Sequence, residues 1–186
     1  RDGDSGAAVA ARGDRNARWR AGAGMIVRPA GPGDLGAIAA IWAPVVAETT
    51  IIFASDPRPP ARVAEIIAER RKGGTEFFVA ETGGRVVGFA TYSQFRGGNG
   101  YLTSMEHSII VAPEGQGKGA GRALMEAVED HARNRGAHTM VAVVSGENEA
   151  GVAFHAAIGY REYGRLPEVG RKFGRWLDAV FMLKIL

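Results

Sequence analysis

The chain has 186 residues, 46% of them hydrophobic and 23% charged, with 27 Gly, a formal net charge of +3 and no Cys. That length suits one domain with its own core, and the lack of cysteine excludes a disulfide framework, thiolate metal ligands and a cysteine nucleophile. The apolar runs are short and broken by charge, so none reaches the roughly 20 residues of a membrane-spanning helix. A soluble, cytoplasmic protein is expected, with no membrane partner.

Residues 1–24 hold five Arg and three Asp, leaving 18 Lys plus Arg against 17 Asp plus Glu in residues 25–186. The pI near 9.5 is therefore no argument for nucleic acid. Arg70, Arg71 and Lys72 close a helix, where cations suit the dipole, and read as a solvated face. Residues 1–24 show no sustained period and no apolar core of a signal peptide. They are expected to be a disordered or upstream extension outside the fold, with Met25 as the natural start and residues 25–186 as a single domain.

In chain order, Ile26 to Arg28 reads as a short strand. Pro32, Gly33 and Asp34 then introduce Leu35, Ile38, Ile41, Trp42, Val45 and Val46 at helical spacing. A loop, Thr49 to Arg58, leads to a second helix that starts at Pro59-Pro60, places Val63, Ile66 and Ile67 on one face and stops at Gly73-Gly74. Glu76 to Glu81 and Arg85 to Ser93 form a hairpin about Thr82-Gly83-Gly84, and Leu102 to Val111 adds a third strand. A helix from Arg122 to Arg135 follows, then an apolar strand, Met140 to Val144, expected to be buried on both faces. A short helix, Glu149 to Ile158, precedes strands Tyr160 to Leu166 and Trp176 to Ile185. An antiparallel meander followed by one strand-helix-strand crossover implies an α/β fold with a mixed sheet. Trp42, Trp176 and the pair Phe77-Phe78 lie in periodic apolar segments and read as core or interface.

The segment with most chemistry in it is Val111-Ala-Pro-Glu-Gly-Gln-Gly-Lys-Gly-Ala-Gly-Arg122. Glycines there let the backbone approach an anion, and the amides opening the next helix point at it. A Walker loop does not fit, because Ala112 stands where its first glycine belongs and Gly119 follows Lys118. A dinucleotide fingerprint can be forced onto Gly115, Gly117 and Ala120, but lacks the acidic residue on a following strand that binds ribose. Gln116-Gly-Lys-Gly-Ala-Gly121 does fit Gln/Arg-x-x-Gly-x-Gly/Ala. It resembles the pyrophosphate loop of the GNAT superfamily of N-acetyltransferases, which hold acetyl-CoA.

Neighbouring segments extend the resemblance. Ser108-Ile-Ile-Val111 and Met140 to Val144 stand where that superfamily splays two strands around the thioester arm, and Asn148 through Tyr160 resembles its Asn-helix-Gly-aromatic segment. Met105-Glu-His-Ser-Ile-Ile-Val111, the glycine loop, and Val169-Gly-Arg-Lys-Phe-Gly-Arg-Trp-Leu-Asp178 with Phe181 and Met182 are similar to one branch. That branch is the phosphinothricin and methionine sulfone/sulfoximine (L-amino acid) N-acetyltransferases. The resemblance implies the GNAT fold: a mostly antiparallel twisted sheet, helices on both faces and a splayed central strand pair. It also implies a homodimer and an amino-acid substrate acetylated by direct amine attack. The alternatives are the same fold acting on a protein N-terminus or polyamine, or a non-catalytic acyl-CoA-binding module.

Acetyl transfer needs a neutral amine, and Glu106, among apolar neighbours that raise a carboxylate's pKa, matches the branch's catalytic glutamate. An unpaired amide of Ile109, Ile110 or Val111 would face the oxyanion. His155 stands where many relatives have Tyr and is a candidate acid, though it reads equally as a packed residue. The loop residues Gln116, Gly117, Lys118, Gly119, Ala120, Gly121 and Arg122, with Asn148, are expected to hold acetyl-CoA. Arg96 with Gly97 and Gly98 is expected at the substrate carboxylate, or as a solvated loop, with Glu106, His107 and Ser108 completing the acceptor site. Leu102 stands where several branch members have Arg, and Phe173 replaces a His of the dedicated herbicide-resistance members, which favours a broader specificity. No metal is expected, since the histidines lack ligand spacing.

Overall fold

The computed structural model describes residues 19–21 and 24–186. Eight strands form one mixed sheet in the order β1-β2-β3-β4-β5-β6-β8-β7. They are β1 (Trp19–Ala21), β2 (Met25–Pro29), β3 (Phe77–Thr82), β4 (Arg85–Gln94), β5 (Ser104–Val111), β6 (Thr139–Ser145), β7 (Arg161–Lys172) and β8 (Arg175–Ile185). Every pair is antiparallel except β5 with β6, which are joined by a helical crossover.

Helices α1 (Leu35–Glu48) and α2 (Pro60–Lys72) cover one face. Ile38, Trp42 and Val46 of α1, and Val63, Ile66 and Ile67 of α2, pack with Phe77, Val79, Phe89 and Ile110 of the sheet. Trp42 and Phe77 both lie against Phe89, at ring centroid distances of 4.8 and 5.3 Å. Helix α3 (Ala120–Asn134) covers the other face with Ala123, Leu124, Ala127 and Val128, and α4 (Glu149–Ala157) lies on that side too, with Val152 and Phe154 against the same core.

Three expectations change and one narrows. Trp19–Ala21 was assigned to an extension outside the fold, but it adds an edge strand antiparallel to β2, with Trp19 edge-on to Phe78 at 5.3 Å. The indole packs on the same apolar cluster as α3. Strand β6 is not buried on both faces, since Val143 is 37% exposed. Strand β7 runs on to Lys172, past Pro167, because irregular register between Leu166 and Gly170 accommodates the proline. Of the core-or-interface reading of Trp176 only the interface half stands, since the residue is 60% exposed with its indole 5.2 Å from the Arg171 guanidinium.

The β7–β8 hairpin turns through Phe173 and Gly174, both at positive φ (51° and 75°), the signature of a tight two-residue turn. It then reaches back over the connection between α1 and α2. Lys172 Nζ donates to the Ile52 carbonyl at 2.8 Å, and Gly170 lies so close to the Phe53 ring that a side chain there would collide with it. Arg175 and Thr50 both hydrogen-bond Glu147.

Candidate active site

Strand β5 stays with β4 along its whole length, from Gln94↔Met105 to Gly88↔Val111. Strand β6 stays with β8, from Thr139↔Ile185 to Ser145↔Ala179. The two central strands therefore meet only over Ser104↔Thr139, Met105↔Met140 and Glu106↔Val141, and diverge beyond Glu106. From His107 to Val111 the edge of β5 facing β6 has no strand partner, an uncommon exposure of backbone donors and acceptors in the middle of a sheet.

The glycine-rich turn sits at the open end. Gly117 and Gly119 adopt φ of 69° and 85°, a region costly for residues with a Cβ, and Gly119 caps α3. The amides of Ala112, Gly115, Gln116, Lys118 and Ala123 have backbone partners, whereas those of Gly117, Gly119, Ala120, Gly121 and Arg122 have none among the described residues. Five free N–H groups around a helix N-terminus form a cradle for an anion. Gly121 lies under the Phe154 ring, where an added Cβ would stand 3.1 Å from it.

This cradle opens into a groove of about 1470 Å³ lined by α1, Ile109 to Val111, the turn, Asn148, Phe154 and His155. That volume exceeds the roughly 300–1,000 Å³ of ordinary small-molecule pockets and suits a long ligand. Asn148 caps α4, its side chain accepting from the Gly151 amide at 2.9 Å. The Gln116 side chain donates to the Val111 carbonyl at 3.1 Å, closing the strand end. Lys118 and Arg122 are exposed at the rim, Arg122 reaching the Ala157 carbonyl at 3.4 Å.

Alternation along β5 divides its side chains between the two faces. Ile110 packs under α1 and α2, so Ser108 and Glu106 share that face. Met105, Ile109 and Val111 pack on the α3 side, and His107 shares theirs. Glu106 is half-buried at the point of divergence, and Ser108 beside it is exposed. Burial pushes the Glu106 carboxyl above the usual carboxylate range, with the Arg70 guanidinium pulling partly the other way.

His107 was expected to touch substrate with Glu106 and Ser108, and strand alternation overturns this. Its ring is buried on the opposite face, stacked on His155 at 5.0 Å and edge-on to Tyr160 at 5.6 Å. Burial, aided by His155, pulls His107 down to about 3, so it stays neutral.

His155 was a candidate acid, and its geometry argues otherwise. Its Nδ1 lies 2.6 Å from the Gly151 carbonyl. A carbonyl only accepts, so Nδ1 carries the proton and Nε2 is left with a lone pair. Burial lowers the ring's pKa, the Gly151 bond opposing it. A neutral His155 has no Nε2 proton to give, and its place is to line the groove.

Arg96, Gly97 and Gly98 lie in an exposed loop. The Gln94 side chain binds the Arg96 and Gly98 carbonyls at 2.7 and 2.8 Å, while the Arg96 guanidinium lies 5.8 Å from the Tyr101 ring centre. The cation that acts on Glu106 is instead Arg70 of α2, which the sequence reading had placed in a solvated face. Its signal was its position: Val63, Ile66, Ile67 and Arg70 fall at i, i+3, i+4 and i+7, which puts the arginine on the apolar stripe. Among the described residues no three His, Asp or Glu side chains gather as metal ligands would, and no helix is long and apolar enough to cross a membrane.

Residues 43–160 match the model of the acetyltransferase (GNAT) family. The chain belongs to the GNAT acetyltransferases. The divergence of β5 from β6 falls where the resemblance implied the family's splayed strand pair. Among relatives, the L-methionine sulfoximine/L-methionine sulfone acetyltransferase of Pseudomonas paraeruginosa is 38% identical over 157 residues, 84% of this chain and 91% of that one. A ribosomal-protein-alanine N-acetyltransferase from Brucella melitensis superposes with a TM-score of 0.83 at 38% identity, covering 86% of this chain and 99% of that one. The acetyltransferase yncA of Salmonella typhimurium, solved with acetyl-CoA, gives a TM-score of 0.83 at 35% identity over 88% and 94% of the two chains.

Proposed function

We propose that this GNAT enzyme uses acetyl-CoA to acetylate the α-amine of small amino-acid analogues of the methionine sulfone and sulfoximine class. The observation that carries this is the half-buried Glu106 at the apex of the splay, on the open face of β5, together with the relationship to a methionine sulfoximine/sulfone acetyltransferase.

The fit to acetyl-CoA rests on the five partnerless amides of residues 117 and 119–122, which suit a pyrophosphate, and on the groove between them and β5. Ile109, Ile110 and Val111 would lie along the pantetheine arm, with Gln116, Lys118, Arg122 and Asn148 around the rest of the donor. Bound acetyl-CoA supplies the activated acetyl group. The chain itself has no cysteine, which favours direct attack by the amine over an acyl-thiol relay.

An amino acid arrives as an ammonium, and Glu106 accepts its proton. A carboxylate whose pKa is raised by burial is better matched to that task than a solvated one. Ser108, exposed on the same face, is a hydrogen-bonding neighbour for the acceptor. Its partner surface follows from the β7–β8 hairpin, where Tyr163, Leu166, Val169, Phe173 and Trp176 are all exposed. Such exposed apolar surface marks an interaction site and suits a homodimer. Phosphinothricin is expected to be a weaker substrate, given Leu102 and Phe173.

The similarity to a ribosomal-protein-alanine acetyltransferase supports a second reading, with a protein N-terminus as acceptor. Thiol release from acetyl-CoA against methionine sulfone, methionine sulfoximine, phosphinothricin, ordinary amino acids, spermidine and an alanine-terminated peptide separates the two. Turnover of the sulfone and sulfoximine, with the peptide and spermidine silent, is the expected outcome. Preference for the peptide would transfer the assignment to the second reading.

A further inference from the structure

The face of the sheet that carries Glu106 also holds an unmatched set of hydrogen-bond donors. Trp42 Nε1 of α1, Arg58 Nε of the α1–α2 connection and Arg70 Nε of α2 are all buried without a partner among the described residues. Neither guanidinium has an ion pair among the described residues. Buried donors are rarely left unpaired, and charged ones cost most. Arg58 lies over Trp42, its guanidinium carbon 4.9 Å from the ring centre. Arg70 senses both the Arg58 charge and the Glu106 charge.

The sheet is open where these groups look at it. Exposed residues are unusual in central strands, yet Ser108 of β5 and Val143 of β6 are both exposed. Ser108 lies on the α1/α2 face with Ile110. Val143 alternates with Ala142 and Val144, which pack on the α3 side, so it falls on the same face. Two arginines with buried, unpaired Nε donors, one carboxylate and an uncovered stretch of sheet thus share the α1/α2 face of the sheet. Among the described residues nothing pairs with either Nε, and the missing component is an acceptor-rich anion.

We infer that Arg70 and Arg58 form a carboxylate clamp, holding the α-carboxylate of the acceptor while its ammonium faces Glu106. This rests on the amino-acid reading of the acceptor site. The arrangement matches a zwitterion: opposite charges on one carbon, met by a carboxylate and two guanidiniums on one face. Guanidinium is suited to carboxylate because its paired N–H groups match the two oxygens.

The test compares L-methionine sulfone with its decarboxylated counterpart, 3-(methylsulfonyl)propan-1-amine, at saturating acetyl-CoA. Native enzyme should prefer the amino acid in kcat/KM, and Arg70→Met should reduce that preference by about 10- to 100-fold, the worth of a charge-assisted hydrogen bond. Arg58→Met should reduce it in the same direction, and Arg70→Lys should restore part of it. Binding of acetyl-CoA and the thermal midpoint of each variant report whether the fold is intact. If Arg70→Met fails to fold, Arg58→Met and Arg70→Lys carry the same comparison. An equal loss with both substrates, accompanied only by a shift of the acid limb of the pH profile, would make Arg70 a positioning residue for Glu106 and overturn the clamp. Native enzyme that acetylates no amino acid would remove both the clamp and the reading beneath it. Native enzyme that acetylates methionine sulfone, with variants indifferent to the carboxylate, would remove the clamp alone.

Discussion

Replacing Glu106 by glutamine lowers kcat by about 100- to 10,000-fold, the usual worth of a positioned general base, while acetyl-CoA still binds. The amide keeps the shape of the side chain but cannot accept the ammonium proton. The pH dependence carries a sign. Burial raises the Glu106 pKa, and a general base acts in its deprotonated form. Native kcat/KM therefore falls as pH drops through a value above the ordinary glutamate range, and that limb disappears in the variant. Steady-state rates at several pH values check both statements, and full turnover by Glu106→Gln would remove the residue as base.

Replacing Gly119 by valine weakens acetyl-CoA binding by about tenfold or more. The residue sits at φ 85°, where a Cβ costs about 1–2 kcal/mol. Relaxing that strain turns the free amides of Gly119, Ala120 and Gly121 away from their common focus, and each 1.4 kcal/mol lost is about tenfold in affinity. Gly36→Ala is the control, since that helical glycine has open space around it and lies outside the groove lining. Calorimetric titration with acetyl-CoA reads both variants. Equal affinities for Gly119→Val and the native protein would detach the cradle from donor binding.

How much of this was legible varied with the kind of signal. The element order from Ile26 onward followed from periodicity and from Gly and Pro punctuation, because each helix has a continuous apolar stripe and each hairpin a turn residue. Trp19 was passed over, since one indole in a Gly- and Arg-rich stretch has no period to register, yet its packing on Phe78 depends on tertiary contact. The glycine turn was legible because few functions need so many free amides before a helix.

The acceptor side was read less well, for two physical reasons. His107 and Ser108 were treated alike, although strand parity puts them on opposite faces, and Ile110 gave that parity away. Arg70 was taken for a dipole-capping cation like Arg71 and Lys72. Arg71 does pair outward with Glu76 at 2.8 Å, but Arg70 continues the apolar stripe inward. The splay itself has no local signature, since β5 and β6 each satisfy their outer neighbours in full and only the fold sets the angle between them.

The central claim is that this site transfers acetyl from acetyl-CoA to an amino-acid α-nitrogen. The most direct measurement is 13C NMR of the purified protein incubated with carbonyl-labelled acetyl-CoA and L-methionine sulfone. The account predicts the label in an amide bonded to the α-nitrogen, forming with native enzyme and nearly abolished by Glu106→Gln. Label found only in free acetate, or retained in acetyl-CoA while the donor is demonstrably bound, would contradict it.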